Sequence, residues 1–134
     1  MKVVLDASAA LSFVLADEFT EMSKRTLDAI VRDGAMVPAL WDFEVLNALR
    51  SAERRGRLTA AALSHAIHGL QGLPIERDHR PVDGLRLTSL ADEFDLSVYD
   101  AAYLALAIDA DLPLASLDSS LIGAAQAAGA RLVS

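Results

Sequence analysis

Short apolar runs alternate with longer segments of helical periodicity along this chain, and this alternation constrains the fold more than any other feature of the sequence. The first run, 3–5, stops at Asp6, and apolar spacing then predicts a helix over 7–16. The same patterns predict further strands at 36–37, 73–75, 112–116 and 132–133, and further helices at 20–33, 40–55, 59–70, 82–94, 100–108 and 119–128. Alternating strands and helices imply a largely parallel sheet covered by helices, which is an α/β fold.

Two prolines and one unusually apolar helix refine this architecture. Pro74 confines the strand at 73–75 to a sheet edge or a strand start, because proline cannot donate a ladder hydrogen bond. Pro81 suits the first turn of the next helix. In that helix the candidate buried residues are Val82, Leu85, Leu87, Leu90 and Ala91. The helix at 100–108 follows a connection at 95–99 and is apolar on every side, so we expect it to lie in the core.

The composition fits one compact domain over 1–134. With 134 residues, 53% of them hydrophobic, the chain is long enough to bury a sizeable core. It has no cysteine and no N-terminal signal pattern, so we expect a cytoplasmic protein. The longest apolar stretch, 101–108, is much shorter than the roughly 20 residues that cross a bilayer, and we expect no membrane role.

The charge of the chain argues at first against a nucleic-acid ligand. The formal net charge is -7, whereas binding to phosphates normally requires an excess of lysine and arginine. This objection weakens if several carboxylates are gathered around divalent cations, because each bound ion reverses the local field that a phosphate meets. The positions of the acids therefore matter more than their number.

Four carboxylates are candidates for one site. Asp6 ends the first strand and Asp118 follows the strand at 112–116, so a parallel sheet brings both to the edge where ligands bind. Asp100 begins the apolar helix, and Glu44 borders the apolar stripe of its own helix. Taken singly, each aspartate could be a helix N-cap and Glu44 a solvated residue. Capping does not explain why the aspartates should collect at one sheet edge.

The chemistry of these acids indicates a metal site. Carboxylates that share a cleft repel one another unless a cation lies between them. Oxygen ligands without cysteine or a suitable histidine favour Mg²⁺ or Mn²⁺ over zinc. Such ions activate water and stabilise the leaving oxygen of a phosphodiester, which is nuclease chemistry. Three short polar side chains lie near these acids in sequence: Ser8, Asn47 and Ser116. They are suited to hydrogen-bond a carboxylate, a metal-bound water or a phosphate. Alternatively, Ser8 caps a helix, Asn47 faces solvent and Ser116 bonds only to the backbone.

Four segments of the chain resemble the motifs of PIN-domain ribonucleases. The segment 4–10 resembles the opening of PIN domains, and 37–49 resembles their second acidic motif. The segments 99–107 and 112–118 resemble the third and fourth motifs, and all four occur in order over almost the whole chain. The resemblance implies a three-layer α/β/α fold with a short parallel sheet of about four to five strands. It also implies binding of Mg²⁺ or Mn²⁺ and endoribonuclease activity.

The resemblance assigns roles to individual residues. Carried over by position, the metal-binding and catalytic acids are Asp6, Glu44, Asp100 and Asp118, with Asn47 and Ser116 as supporting groups. Ser116 stands where many relatives have threonine, and Ser119 and Ser120 stand where some have a further acid or amide. The first metal ion is therefore better supported than a second. The small bacterial members of the family are the ones that this chain resembles in length. By this resemblance we expect a VapC-like toxin of a VapBC pair that forms a homodimer, is inhibited by a cognate VapB-like antitoxin and cleaves an RNA such as transfer RNA.

Arginines recur along the helix that carries Glu44 and beyond its end. Arg50, Arg54 and Arg57 follow at helical spacing, and Arg50 lies nearest the acids, so it is our candidate for contact with an RNA phosphate. The same cations could instead only complement the dipole at a solvated helix end. The alternative function is a catalytically silent PIN fold that serves as a protein-interaction module. The presence of all four acids argues against that alternative.

Overall fold

A four-stranded sheet lies at the centre of the chain. In the computed structural model, which describes residues 1–133, the strands are β1 (Val3–Leu5), β2 (Ala35–Pro38), β3 (Ile75–Asp78) and β4 (Leu114–Ala115). Their order is β3-β2-β1-β4, and each of these pairings is parallel. The predicted strand at 132–133 is reduced to one bridge between Leu132 and Leu114. The prediction of a short parallel sheet is confirmed.

Helices connect these strands, because parallel neighbours require a crossover connection. Those of the described residues are α1 (Ala7–Ser12), α2 (Glu21–Asp33), α3 (Trp41–Arg54), α4 (Ala60–Gln71), α5 (Gly84–Phe94), α6 (Val98–Ala110) and α7 (Ser119–Ala127), with a short 3-10 helix at Ala16–Glu18. They flank the sheet in a three-layer α/β/α arrangement, as predicted.

The core is centred on β1 and α6. Because β1 lies between β2 and β4, its three residues are buried on both faces of the sheet. α6 packs against β1 and β2 and contributes Tyr103, Leu104 and Leu106 to the buried cluster, so the prediction of a buried helix is confirmed. Although α6 is apolar, neither it nor another helix within 1–133 has the length and hydropathy needed to span a bilayer.

α1 is shorter than predicted. It ends at Ser12, whereas the apolar spacing predicts a helix to residue 16. After Ser12 the backbone tightens: the N–H of Phe13 donates to the carbonyl oxygen of Ala10, and that of Val14 to Leu11, each three residues back. This is 3-10 spacing, which commonly ends an α-helix. Apolar periodicity does not detect the change, because residues 13–15 remain apolar and pack inward.

The start of α5 also differs from the prediction. Asp83 caps the helix by accepting a hydrogen bond from the backbone N–H of Arg86 at 3.2 Å, so Pro81 and Val82 precede the helix instead of opening it. Val82 is 78% exposed and Leu85 is 86% exposed, and the prediction that both are buried is wrong.

α6 begins two residues earlier than predicted. The hydroxyl of Ser97 accepts a hydrogen bond from the backbone N–H of Asp100 at 3.1 Å and caps a helix that starts at Val98. The segment 95–99 is therefore only partly a connection. Asp100 lies within the first turn of α6. The N-cap is Ser97 and not Asp100, so the Asp100 carboxylate does not cap this helix.

β3 lies at an edge of the sheet, as Pro74 predicts, but it begins at Ile75 and not at residue 73. Its charged side chains suit an edge position. One of them fixes the neighbouring helix: the Arg77 guanidinium donates two 2.8 Å hydrogen bonds to the carboxylate of Asp42 in the first turn of α3. β3 is thereby tied to the helix that carries Glu44.

Candidate active site

The carboxyl ends of β1 and β4 meet at one edge of the sheet. The two strands pair in parallel, with Leu5 opposite Ala115, and the backbone N–H of Asp6 donates to the carbonyl oxygen of Ala115 at 3.1 Å. The turns that follow these strands therefore lie side by side. They carry Asp6 and Ser8 after β1, and Ser116 and Asp118 after β4.

Asp6 lies at the bottom of this edge and is 4% exposed. One carboxylate oxygen, Oδ1, accepts hydrogen bonds from the Ser8 hydroxyl and the Ala9 backbone N–H, both at 2.8 Å. The other, Oδ2, accepts one from the Ser116 hydroxyl at 2.5 Å. A buried carboxylate with three donors is held in a fixed orientation.

The protons of the two serines point at Asp6. The Ser8 oxygen accepts a hydrogen bond from the backbone N–H of Leu117 at 2.9 Å, and the Ser116 oxygen accepts one from Asp118 at 3.0 Å. Because a backbone N–H can only donate, the single proton of each hydroxyl is left for the carboxylate. We call Asp6, Ser8 and Ser116 the hydroxyl network; it joins the turn after β1 to the turn after β4.

Asp118 caps α7 and also faces the other acids. Its Oδ1 accepts a hydrogen bond from the backbone N–H of Ser120 at 3.1 Å. Asp6 likewise caps α1. The capping interpretation is therefore correct for both residues, and it does not compete with a shared site, because the same strand ends place both caps at one edge.

Asp100 and Glu44 approach this edge from the helices. Asp100 is half-buried in the first turn of α6, and Glu44 is half-buried in the first turn of α3. Tyr103, one turn after Asp100, donates a hydrogen bond from its hydroxyl to Oε1 of Glu44 at 2.6 Å. The sequence alone gives Tyr103 no functional role, although a residue three positions after Asp100 on the same helix lies on the same side of that helix.

The charges of the four acids act on one another. Burial raises the pKa of Asp6, and the negative charge of Asp118 raises it further, against the hydrogen bonds that lower it. Burial likewise raises the pKa of Asp100, and the charges of Asp118, Glu44 and Asp6 add to this effect. The pKa of Tyr103 is raised by burial and by its contact with Glu44. The structure thus brings all four predicted acids into one electrostatic neighbourhood.

The donors at this edge suit a hard divalent cation, because they are carboxylate and hydroxyl oxygens. Within the described part of the chain, however, no three carboxylate or imidazole side chains are close enough together to hold one ion. The acids are near enough to repel but are not a preformed cage.

Two predicted residues lie outside the hydroxyl network. Asn47 is exposed on α3, one turn beyond Glu44, and among residues 1–133 its side chain has no hydrogen-bond partner. Arg50 is exposed on the same helix and, over the same residues, forms no ion pair. Asn47 and Arg50 are therefore available to a ligand but are not part of the arrangement that holds the acids.

An acidic edge on a parallel α/β/α sheet is the arrangement that the PIN resemblance implies. The chain belongs to the PIN-domain family, which matches residues 3–127. The crystal structure of PAE2754 from Pyrobaculum aerophilum shares the fold, with a TM-score of 0.71 at 23% identity over 92% of this chain and 84% of that one. The prediction of the family from the four sequence motifs is confirmed.

Curated relatives narrow the family further. The chain is 34% identical over 125 residues to the VapC ribonuclease Mb0985 of Mycobacterium bovis and to the ribonuclease VapC9 of Mycobacterium tuberculosis. Each match covers 93% of this chain and 92% of the relative. The ribonuclease VapC3 of Mycobacterium tuberculosis is 31% identical over 122 residues, which cover 90% of this chain and 85% of that protein. The similarity to VapC ribonucleases thus extends over nearly the full length of both chains.

Proposed function

We propose that this chain is a divalent-metal-dependent endoribonuclease and the toxin of a VapBC-type pair. The observation that carries the proposal is the meeting of four carboxylates at the carboxyl edge of the sheet, where the charge of Asp118 raises the pKa of Asp6 and the charges of the other three acids raise the pKa of Asp100. The names of the VapC relatives support the same activity. We further infer that residues 1–134 fold as one PIN domain.

Mg²⁺ or Mn²⁺ would be held by carboxylate oxygens of Asp6, Glu44, Asp100 and Asp118. The ion supplies Lewis-acid polarisation of the phosphodiester and activation of water. The protein contributes the orientation of its ligands. The hydroxyl network orients Asp6 and favours its ionised form against the larger opposing effect of burial, because both serine protons are directed at its two oxygens.

RNA reaches this site in spite of the net charge of the chain. Arg50 lies on the exposed side of α3 and has no ion pair with another described residue, so its guanidinium is available to an RNA phosphate near Glu44. Asn47, on the same exposed side, can hydrogen-bond the sugar or a base. A bound cation further reduces the repulsion between the acids and the phosphate.

The proposed setting is the bacterial cytoplasm, with a VapB-like antitoxin as the partner that blocks the site and a second copy of this chain as the partner in a homodimer. An inhibitor that covers an acidic, metal-binding edge must supply cations or occupy the position of the ion. The substrate class is RNA, with transfer RNA among the candidates.

The test compares the cleavage of total cellular RNA by purified wild type and Asp6→Asn, each with Mg²⁺, Mn²⁺ or EDTA. Asp92→Asn is the matched control, because Asp92 is an exposed acid on α5. We expect cleavage by wild type and Asp92→Asn in the presence of metal, and none by Asp6→Asn or with EDTA.

One observation favours the alternative of a silent interaction module. Over residues 1–133 no three acids form a ready-made ion cage. If wild type and Asp6→Asn gave the same RNA cleavage pattern, and circular dichroism showed both proteins to be folded, the nuclease proposal would be overturned in favour of that module.

A further inference from the structure

Tyr103 is a buried aromatic residue whose single polar atom touches one of the candidate acids. The side chain is 1% exposed and its hydroxyl donates to Oε1 of Glu44 at 2.6 Å. A hydrogen bond to an ionised acceptor is shorter and stronger than one between neutral groups. The hydroxyl is thus committed to this carboxylate and not to solvent.

This contact joins two helices that have no other described hydrogen bond between their side chains. Glu44 is on α3 and Tyr103 is on α6, fifty-nine positions apart in sequence. α3 is otherwise held by its buried residues, which pack against α1 and α4, and by the Arg77–Asp42 pair, which ties its first turn to β3. Core packing fixes the helix but not the direction of the Glu44 side chain, and the hydrogen bond from Tyr103 directs that carboxylate toward α6.

Electrostatic repulsion opposes this position. The negative charge of Glu44 is among those that raise the pKa of Asp100, so the two carboxylates repel each other in the absence of a cation. Glu44 is only half-buried, and its long side chain can turn toward water, where its charge is better solvated. The Tyr103 hydrogen bond counteracts this tendency. It occupies Oε1 and leaves Oε2 of Glu44 available.

We propose that Tyr103 is a positioning residue that holds the Glu44 carboxylate beside Asp100, so that both acids can bind the same divalent cation. This inference rests on the proposed function. It makes α6 the source of two functional groups one turn apart: the acid Asp100 and the residue that places an acid from another helix. Groups that orient metal ligands typically change metal affinity by about 10-fold to 100-fold when they are removed.

The test is Mn²⁺ binding to the RNA-free protein, measured by isothermal titration calorimetry at neutral pH. Tyr103→Phe removes only the hydroxyl and keeps the buried ring. The chain offers a matched control in Tyr99→Phe, because Tyr99 is on the same helix and 62% exposed. We expect the Kd for Mn²⁺ to rise about 10-fold or more in Tyr103→Phe and to stay unchanged in Tyr99→Phe.

A double-mutant cycle separates positioning from general packing. In a Glu44→Ala background, Tyr103→Phe should leave Mn²⁺ affinity unchanged, because there is no carboxylate left to hold. Thermal unfolding of each metal-free variant checks that the fold persists.

Three results would overturn the role of Tyr103. They are an unchanged Kd in Tyr103→Phe, a similar loss in Tyr99→Phe, and a loss that is just as large in the Glu44→Ala background. Failure of wild type to bind Mn²⁺ at all would instead overturn the proposed metal-dependent function, and this inference with it. The two failures are therefore distinguishable.

Discussion

Replacing Ser116 by alanine removes one arm of the hydroxyl network. Its buried hydroxyl donates to Asp6 and accepts from the backbone N–H of Asp118, so the substitution deletes a hydrogen bond to a charged group and leaves that N–H to water. A hydrogen bond to a charged group contributes about 1.5–3 kcal/mol. For a chain of this size that corresponds to a fall in Tm of roughly 5–12 °C.

The pH dependence of this loss identifies its cause. The Ser116 hydrogen bond lowers the pKa of Asp6, against the larger effect of burial, so it stabilises the ionised carboxylate. Its contribution is therefore full where Asp6 is ionised and declines as the pH falls through the folded-state pKa of Asp6. The difference in free energy of unfolding between wild type and Ser116→Ala should shrink on acidification.

Urea unfolding of metal-free protein, followed by circular dichroism across the pH range, measures this difference. Ser116→Thr keeps a hydroxyl and should lie close to wild type. Ser120→Ala is a control, since Ser120 is exposed and only its backbone N–H contacts Asp118. A difference below about 0.5 kcal/mol for Ser116→Ala, or one independent of pH, would refute the reasoning about the network.

Three further predictions concern single contacts. In thermal scans of metal-free protein, Asp100→Asn should raise the Tm at pH 7 but not at pH 3. The pKa of Asp100 is raised above 3.8 in the folded protein, so ionisation of Asp100 lowers the stability as the pH rises through the folded-state pKa. Asparagine cannot ionise and avoids this loss. Arg50→Ala should raise KM for RNA with little change in kcat. It should also reduce the slope of the logarithm of RNA affinity against the logarithm of salt concentration by about one. In a double-mutant cycle, Asp42 and Arg77 should couple by only about 1 kcal/mol in urea unfolding, because both side chains are roughly one-third exposed and water screens the pair.

The sequence predicts the parts of this site that depend on local pattern. Asp6 and Asp118 follow apolar strands, and parallel strands bring their carboxyl ends to one edge, so the pairing of the two acids follows from topology. Ser8 is close to Asp6 in sequence and Ser116 close to Asp118, and both serines do contact Asp6. Their participation was predicted from short polar side chains beside the acids.

Long-range contacts are beyond such patterns. The hydrogen bond between Tyr103 and Glu44 joins residues that no periodicity relates: the spacing places Tyr103 on the same side of its helix as Asp100, but it does not indicate Glu44 as its partner. The starts of α5 and α6 are set by the caps Asp83 and Ser97, which compete with apolar spacing. Leu85 is apolar in sequence but exposed in the structure, because periodicity cannot tell which apolar residues the neighbouring elements will cover.

The measurement that tests the central claim most directly is the chemistry of the RNA ends produced by wild type in Mn²⁺. Hydrolysis by water at a carboxylate-bound metal does not use the ribose 2′-hydroxyl as the nucleophile. We therefore predict fragments without 2′,3′-cyclic phosphates, and none at all with EDTA. Cleavage that persists in EDTA and leaves 2′,3′-cyclic phosphate ends would contradict a metal-dependent nuclease built on Asp6, Glu44, Asp100 and Asp118.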